Sequence, residues 1–318
     1  MKNNKLIIGS HVSLKAPNYL VGSVNESIEA NANSFMVYTG PNQSSKRMDT
    51  KIFKIKEAFE LMKENNINPE NVLVHASYLI NLASNKETTR EFGCSFLIQE
   101  IQRTSEMGFK YIVLHPGSKL DNSLEQGIKY ISDNLNYVFE KTKSLDVVLL
   151  IETMSGKGSE VGSSIHEIKE IIDNINLKEK VGVCLDTCHL NDSGYDIDFF
   201  DDFLDEFDKL IGIDKIKAVH LNDSKNVLNA RKDRHENIGY GTIKFESLQN
   251  VVHNERLTNI PMILETPYVE KNKKYFSPYK QEIEMLKNKK FDKWIEKILL
   301  SLSRSLSLVT GGRVPLDV

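Results

Sequence analysis

Between Val181 and Asp196 the sequence reads VGVCLDTCHLNDSGYD, which sets two cysteines, three aspartates and a histidine within one turn-rich stretch. Two chemistries compete for it. Cys184 and Cys188 have the look of a zinc knuckle or a redox pair, whereas Asp186 and His189 suit a hydrolytic centre, where imidazole and carboxylate without thiolate hold zinc or manganese. The rest of the chain favours the second. Six successive apolar runs end in a side chain able to ligate a metal: His75 in LVHAS, His115 in VLHPG, Glu152 in LIETM, Asp186 in CLDTC, His220 in VHLND and Glu265 in ILETP. Three more candidates lie in turns: His189, one turn beyond Asp186, and Asp233 with His235 in RKDRHENIGYG, two apart and so on one side of an extended loop. A single buried polar strand end is normally a satisfied hydrogen-bonding group. Four carboxylates and several imidazoles crowded on one mouth would repel or go unsatisfied unless cations neutralised them. Cys184 shares strand parity with Asp186 one layer deeper and reads as packing, as does Cys188. His166 and His253 fall in helical segments, and His11, ending the first run, is placed to orient a neighbour rather than to ligate.

Residues at the ends of strands converge only if the strands are parallel and curved into one rim. Eight short β-rich runs are present: KLIIGSHVS, SFMVYTG, NVLVHAS, YIVLHPG, VVLLIET, VGVCLDT, IKAVHLND and PMILETP. Segments such as DTKIFKIKEAFELMKENN and SLEQGIKYISDNLNYVFEKT separate them, with apolar residues every three and four positions. Strand and helix alternate from end to end, which requires crossover helices, and eight repeats close a (β/α)8 TIM barrel with its site at the C-terminal ends of the strands. An open doubly wound sheet would need a glycine-rich phosphate loop after the first strand, and GSHVSLKAP does not supply one. The single barrel domain spans residues 1–292. Residues 293–318, beginning KWIEKILLSLS, form a C-terminal extension outside it.

Of the 318 residues, 40% are hydrophobic and 27% charged, and no run approaches the ~20 apolar residues of a membrane span. The N-terminal apolar stretch is too short for a signal peptide. Three cysteines in a chain of this size suit reduced thiols, so the reading is a cytoplasmic monomer with no membrane partner. The net charge of −3 argues weakly against a nucleic-acid surface.

The ordered set HASYLINLAS, LHPGS, IETMSGKGSEVG, CLDTCHLNDSGYD, HLNDSKN, DRHENIGYG and ILETP closely resembles the endonuclease IV family of apurinic/apyrimidinic endonucleases, from about Ile8 to Glu284. The resemblance implies a barrel with three metal ions, usually zinc, that cuts double-stranded DNA on the 5′ side of an abasic site to leave a 3′-hydroxyl. It implies that His75, His115 and Glu152 hold one metal and that Glu152 bridges to a second held by Asp186, His220 and Glu265. His189, Asp233 and His235 would hold the third. Glu265 would help orient the attacking hydroxide, with Glu152 as the second catalytic carboxylate. Tyr78 matches a residue that contacts the distorted DNA. Ser44, in TGPNQSSKRMD, stands where some members place an arginine that enters the base stack. Two further departures are Thr153 after Glu152, where asparagine is frequent, and Tyr240 between Gly239 and Gly241, where glutamate is frequent.

Three divalent cations would outweigh the four carboxylates and turn the net charge to about +3, which removes the objection to an anionic substrate. Such cations lower the pKa of water from ~15.7 towards ~7 and stabilise a leaving oxygen. Lys46, Arg47, Lys157, Arg231, Lys232, Arg234 and the KNKK run at 271–274 are candidate phosphate contacts. The alternative is a metal-dependent sugar isomerase or epimerase on the same barrel, which explains Glu152, Asp186, His220 and Glu265 but not His75, His115, His189 and the Asp233 loop together. A non-catalytic binding protein is a third class.

Overall fold

Strands that lie between a barrel interior and an outer ring of helices are buried on both faces, so they read as continuous apolar runs. That is the pattern here: β2 (Ser34–Tyr38), β3 (Leu73–His75) and β6 (Val181–Asp186) are buried at every residue. The structure, a computed structural model, describes residues 6–42 and 44–300. With β1 (Ile8–His11), β4 (Tyr111–Leu114), β5 (Val148–Glu152), β7 (Ile216–His220) and β10 (Met262–Leu264), these strands close into an eight-stranded barrel in chain order, β10 pairing back to β1. Two short antiparallel pairs, which the sequence reading did not anticipate, lie outside the barrel: β8 (Asp223–Ser224) with β9 (His235–Glu236), and β11 (Val269–Lys271) with β12 (Lys274–Phe276). The second is turned through Asn272 and Lys273, both at positive φ, as a two-residue hairpin requires.

The barrel is filled by Met36, Leu73, Val113, Leu150, Cys184, Ala218 and Ile263. Side chains two apart on a strand share a face, so the next inward layer is Tyr38, His75, His115, Glu152, Asp186, His220 and Glu265. The apolar plug thus forms the floor of the candidate site. Cys184 lies in that plug, where burial pushes its thiol up to about 11, in keeping with a packing residue. Register fixes the lateral order: Asp186 lies level with His220.

Helices α1 (Tyr19–Glu29), α2 (Ile55–Glu64), α3 (Glu87–Glu106), α4 (Leu124–Thr142), α5 (Ile165–Asp173), α6 (Thr187–Ser193), α7 (Phe200–Leu210), α8 (Phe245–Val252) and α9 (Tyr279–Asn288) surround the strands. In α4 the Ser123 side chain caps the first turn by accepting from Gln126 N, and Ile128, Ile131, Leu135, Val138 and Phe139 form the buried stripe. Residues 294–300 are helical as well. This start of the extension is docked rather than free: Trp294 is buried with its ring edge-on to Tyr240, and Tyr240 Oη donates to Glu296 Oε2 at 2.8 Å. The rest of the predicted extension, 301–318, lies outside the described residues. Among the described residues no helix is long and apolar enough to cross a membrane.

Candidate metal centre at the barrel mouth

Asp186 shows how local folding builds the site. It ends β6 and is the N-cap of α6, its Oδ1 accepting from His189 N at 2.8 Å. The cap turns the chain so that residue 189 faces back over the rim, which is why the three-residue spacing matters. Glu152 lies at the centre. Its Oε2 is 3.2 Å from His75 Nε2 and 3.0 Å from His115 Nε2, and its Oε1 is 3.0 Å from His220 Nδ1. His220 Nδ1 is also 3.2 Å from Glu265 Oε2. Asp233, carried in by the loop before β9, brings Oδ1 to 3.2 Å from His189 Nε2 and 3.6 Å from His235 Nε2. His235 Nε2 is 3.7 Å from Asp186 Oδ2. All nine residues singled out from the sequence therefore meet around one mouth.

Donor atoms close enough to share one ion fall into groups that include His75, His115 and Glu152; Glu152, Asp186, His220 and Glu265; and Asp186, His189 and His235. The first two match the sets implied by the resemblance. In the third, Asp186 stands with the two histidines and Asp233 approaches them from outside. The donor chemistry fits cations. Nε2 of His189 and of His235 is buried without a hydrogen-bond partner, while the opposite nitrogen of each ring is fixed: His189 Nδ1 by Thr153 O at 2.8 Å and His235 Nδ1 by Glu265 O at 3.3 Å. Rings held this way present a free nitrogen to the mouth.

The electrostatics agree. Burial alone would raise the Glu152 carboxyl, but the His115 and His220 imidazoles outweigh it and hold it well below the carboxylate range. Burial favours neutral His189 and His220, yet Asp186 and Asp233 keep the proton on the first, and Cys184, Glu265 and Glu152 keep it on the second, both well above the ordinary value. Against the burial cost, His189 and His235 pull Asp233 down to about 2. At Asp186 burial wins and the carboxyl is raised. Protons on imidazole here offset a negative charge that metal cations would offset better.

One support was not singled out from the sequence. Asn222 Nδ2 donates to Asp186 Oδ2 at 2.7 Å and to Glu265 Oε2 at 3.3 Å, and its Oδ1 accepts from Glu265 N at 2.9 Å. The only cue was its place in HLND, two after His220. Thr153, the departure after Glu152, still supports the site: its Oγ1 accepts from Asp186 N at 2.9 Å.

Tyr78 stands at the rim, half exposed, its ring 5.0 Å from His115 and its hydroxyl 2.6 Å from that of Tyr38. It lines a cavity of about 380 Å³ with His115, Glu152, His189, Asp233, His235 and Glu265. Arg234 is exposed between two of the candidate ligands, and Ser44 lies in the loop after β2. His11 contacts Tyr38 edge-on, and burial lowers its pKa. His166 is exposed on α5, and His253 lies against Leu286 O. Arg47, read as a phosphate contact, is corrected: its side chain is 1% exposed and its Nε lies 2.7 Å from Glu100 Oε1. It holds its own loop instead, donating to the carbonyls of Ser44, Pro41 and Lys46. Lys271 is likewise engaged, with Leu299 O.

A family model described as a xylose isomerase-like TIM barrel matches residues 24–289. A curated relative from Ureaplasma parvum serovar 3, named as a probable endonuclease 4, is 50% identical over 293 residues, covering 92% of this chain and 96% of its own. The chain belongs to the endonuclease IV family. Endonuclease IV from Thermus thermophilus superposes with a TM-score of 0.74 at 26% identity, covering 91% of this chain and 99% of its own. A D-tagatose 3-epimerase-like protein also superposes, with a TM-score of 0.65 at 21% identity over 88% of this chain and 96% of its own. At that identity the likeness shows the barrel alone, so it does not revive the sugar isomerase reading.

Proposed function

We propose that this endonuclease IV family member hydrolyses the phosphodiester on the 5′ side of apurinic/apyrimidinic sites in duplex DNA, leaving a 3′-hydroxyl and a 5′-deoxyribose phosphate, as the first incision of base excision repair. The observation that carries the reading is the cluster of five histidines and four carboxylates at one barrel mouth, where the Nε2 atoms of His189 and His235 are buried without a hydrogen-bond partner. Three divalent cations are assigned to it, zinc first and manganese as a substitute: one on His75, His115 and Glu152, one on Glu152, Asp186, His220 and Glu265, one on His189, Asp233 and His235. Bound there, they supply Lewis acidity towards water and the phosphate oxygens.

The chain's own residues do the rest. Glu152, buried and held anionic by the imidazoles around it, ties the first two ligand sets together. Glu265 is the more accessible carboxylate, and Asn222 locks its direction, so it is placed to hold the attacking water in line with phosphorus. His189 and the Asp233 loop line the same cavity, where charge on the phosphate or leaving oxygen would develop. Tyr78 at the rim would pack against the sugar or base beside the lesion, and Arg234 would meet the backbone. The substrate and three buried free thiols fit a cytoplasmic enzyme.

The test is incubation of the purified protein with duplex oligonucleotides carrying one synthetic abasic site. A single cut 5′ to the lesion, with an end that a polymerase extends and with activity lost to chelator, is expected. No cut, or a cut on the 3′ side only, overturns the assignment.

A further inference from the structure

Beyond the cluster itself, two wholly buried carboxylates grip the segment that follows His235. Asp223 takes four backbone donors: Ser224 N and Ile243 N on Oδ1, at 2.7 and 3.0 Å, and Gly239 N and Gly241 N on Oδ2, at 3.0 and 2.9 Å. Glu282, on α9, takes two donors from the same segment, Asn237 Nδ2 at 2.9 Å and Ile238 N at 3.0 Å, both on Oε1. Its other oxygen accepts from Thr266 Oγ1. Thr266 adjoins Glu265, and Asn237 is two residues beyond His235. Burying a carboxylate is costly unless several donors meet it, and in this case the donors come from two different ligand-bearing segments.

We infer that Glu282 is a positioning residue: from α9 it braces the segment carrying His235 against the segment carrying Glu265, and so sets the spacing between the third candidate metal position and the other two. The inference rests on the metal assignment proposed above. The brace is needed because His235 stands on a strand of only two residues and Asp233 on the loop before it, so neither is held by the barrel itself. Two direct contacts join the two segments, His235 Nδ1 to Glu265 O at 3.3 Å and Asn237 Nδ2 to Pro267 O at 2.9 Å, and neither reaches into the barrel core. Glu282 adds a connection from α9 to both segments at once, accepting on both of its oxygens, which leucine or methionine of similar size cannot do. Partners outside a ligand set typically change metal affinity or activity about 10- to 100-fold.

The experiment uses the full chain loaded with zinc and compares Glu282→Leu, Glu282→Gln and Thr266→Val with the parent by chelator competition and by abasic-site nicking. In Glu282→Leu one of the three metals should be withdrawn at about tenfold lower chelator concentration, and kcat should fall about tenfold with KM little changed. Glu282→Gln keeps an oxygen for Asn237 and Ile238, and its amide can donate to Thr266 Oγ1, so it should restore most of both. Thr266→Val cuts one arm of the brace while leaving the carboxylate held by the other, and it should reproduce the metal loss even where the leucine variant fails to fold. Normal chelator resistance and kcat in Glu282→Leu and Thr266→Val, with only a lower melting temperature, would make Glu282 a packing residue and overturn the inference. Failure of the metal assignment is seen separately, in the parent: if the unaltered protein holds no third metal, the inference falls with it whatever the variants do.

Discussion

Asp233 and His235 are the residues that most sharply divide phosphodiester hydrolysis from sugar isomerisation on this barrel. Neither belongs to a barrel strand, yet Asp233 Oδ1 lies 3.2 Å from His189 Nε2, which is buried without a hydrogen bond. Replacing both by alanine removes two donors from one candidate position and leaves His75, His115, Glu152, Asp186, His220 and Glu265 intact. Loss of one group that stabilises developing charge costs ~10²–10³ in rate. The double variant should therefore nick abasic duplex at least that much more slowly, lose one metal by elemental analysis, and keep its circular dichroism spectrum. Near-normal nicking with one metal gone would make this position structural.

At the scale of elements, the Asp186 turn does two jobs that can be separated. Asp186→Ser retains an N-cap oxygen for α6 but no carboxylate, and Asp186→Ala removes both. In metal-free protein the serine variant should be more stable than the alanine variant by about 1 kcal/mol in denaturant melts, while both lose metal equally. The loop after β2 gives a second prediction. Arg47→Ala leaves buried Glu100 without its cation and should cost about 3–5 kcal/mol of stability. Arg234→Ala should instead reduce the salt slope of DNA binding by about one, which Arg47→Ala leaves unchanged. These elements also show what the sequence made legible. Strand parity put every strand-end ligand two residues above an apolar plug residue, so the barrel and the rim were both readable from alternation and run length. Arg47 was misread because nothing in its neighbours reveals a partner 53 residues away on α3. Asn222 and Glu282 were missed for the same reason: their partners are distant in sequence and meet only once the barrel closes. The tyrosine at 240 has a physical context as well. A Cβ at Gly241 would fall 2.3 Å from Asp223 Oδ1 and one at Gly239 would meet Phe291, whereas the residue between them points outward to Trp294 and Glu296.

For the whole molecule, protonation and metal binding should compete, and the sign of the effect follows from the shifts. His189 and His220 are raised well above their ordinary value in the fold, and buried Asp223 and Glu282 are raised to about 6 and about 7. Each binds its proton more tightly folded than unfolded. The stability that these protons contribute is complete below the unfolded values, near ~4 for the carboxyls and ~6.5 for the histidines, and is lost as pH rises through the folded ones. Glu152, Glu265 and Asp233 are depressed and act oppositely: their contribution is present above about pH 4 and is lost as pH falls through the folded values. The metal-free protein should therefore be most stable near about pH 4–5 and weaken towards about pH 8. Zinc must displace the imidazole protons to bind, so its stabilisation should grow over the same interval. Thermal melts of chelated and zinc-loaded protein at about pH 6, 7 and 8 should show the two melting temperatures diverging with pH, and calorimetric titration of zinc at about pH 7 in buffers of different ionisation enthalpy should show net proton release. A melting-temperature difference that stays constant or shrinks with pH would mean that the imidazoles at the mouth are not what the metal displaces.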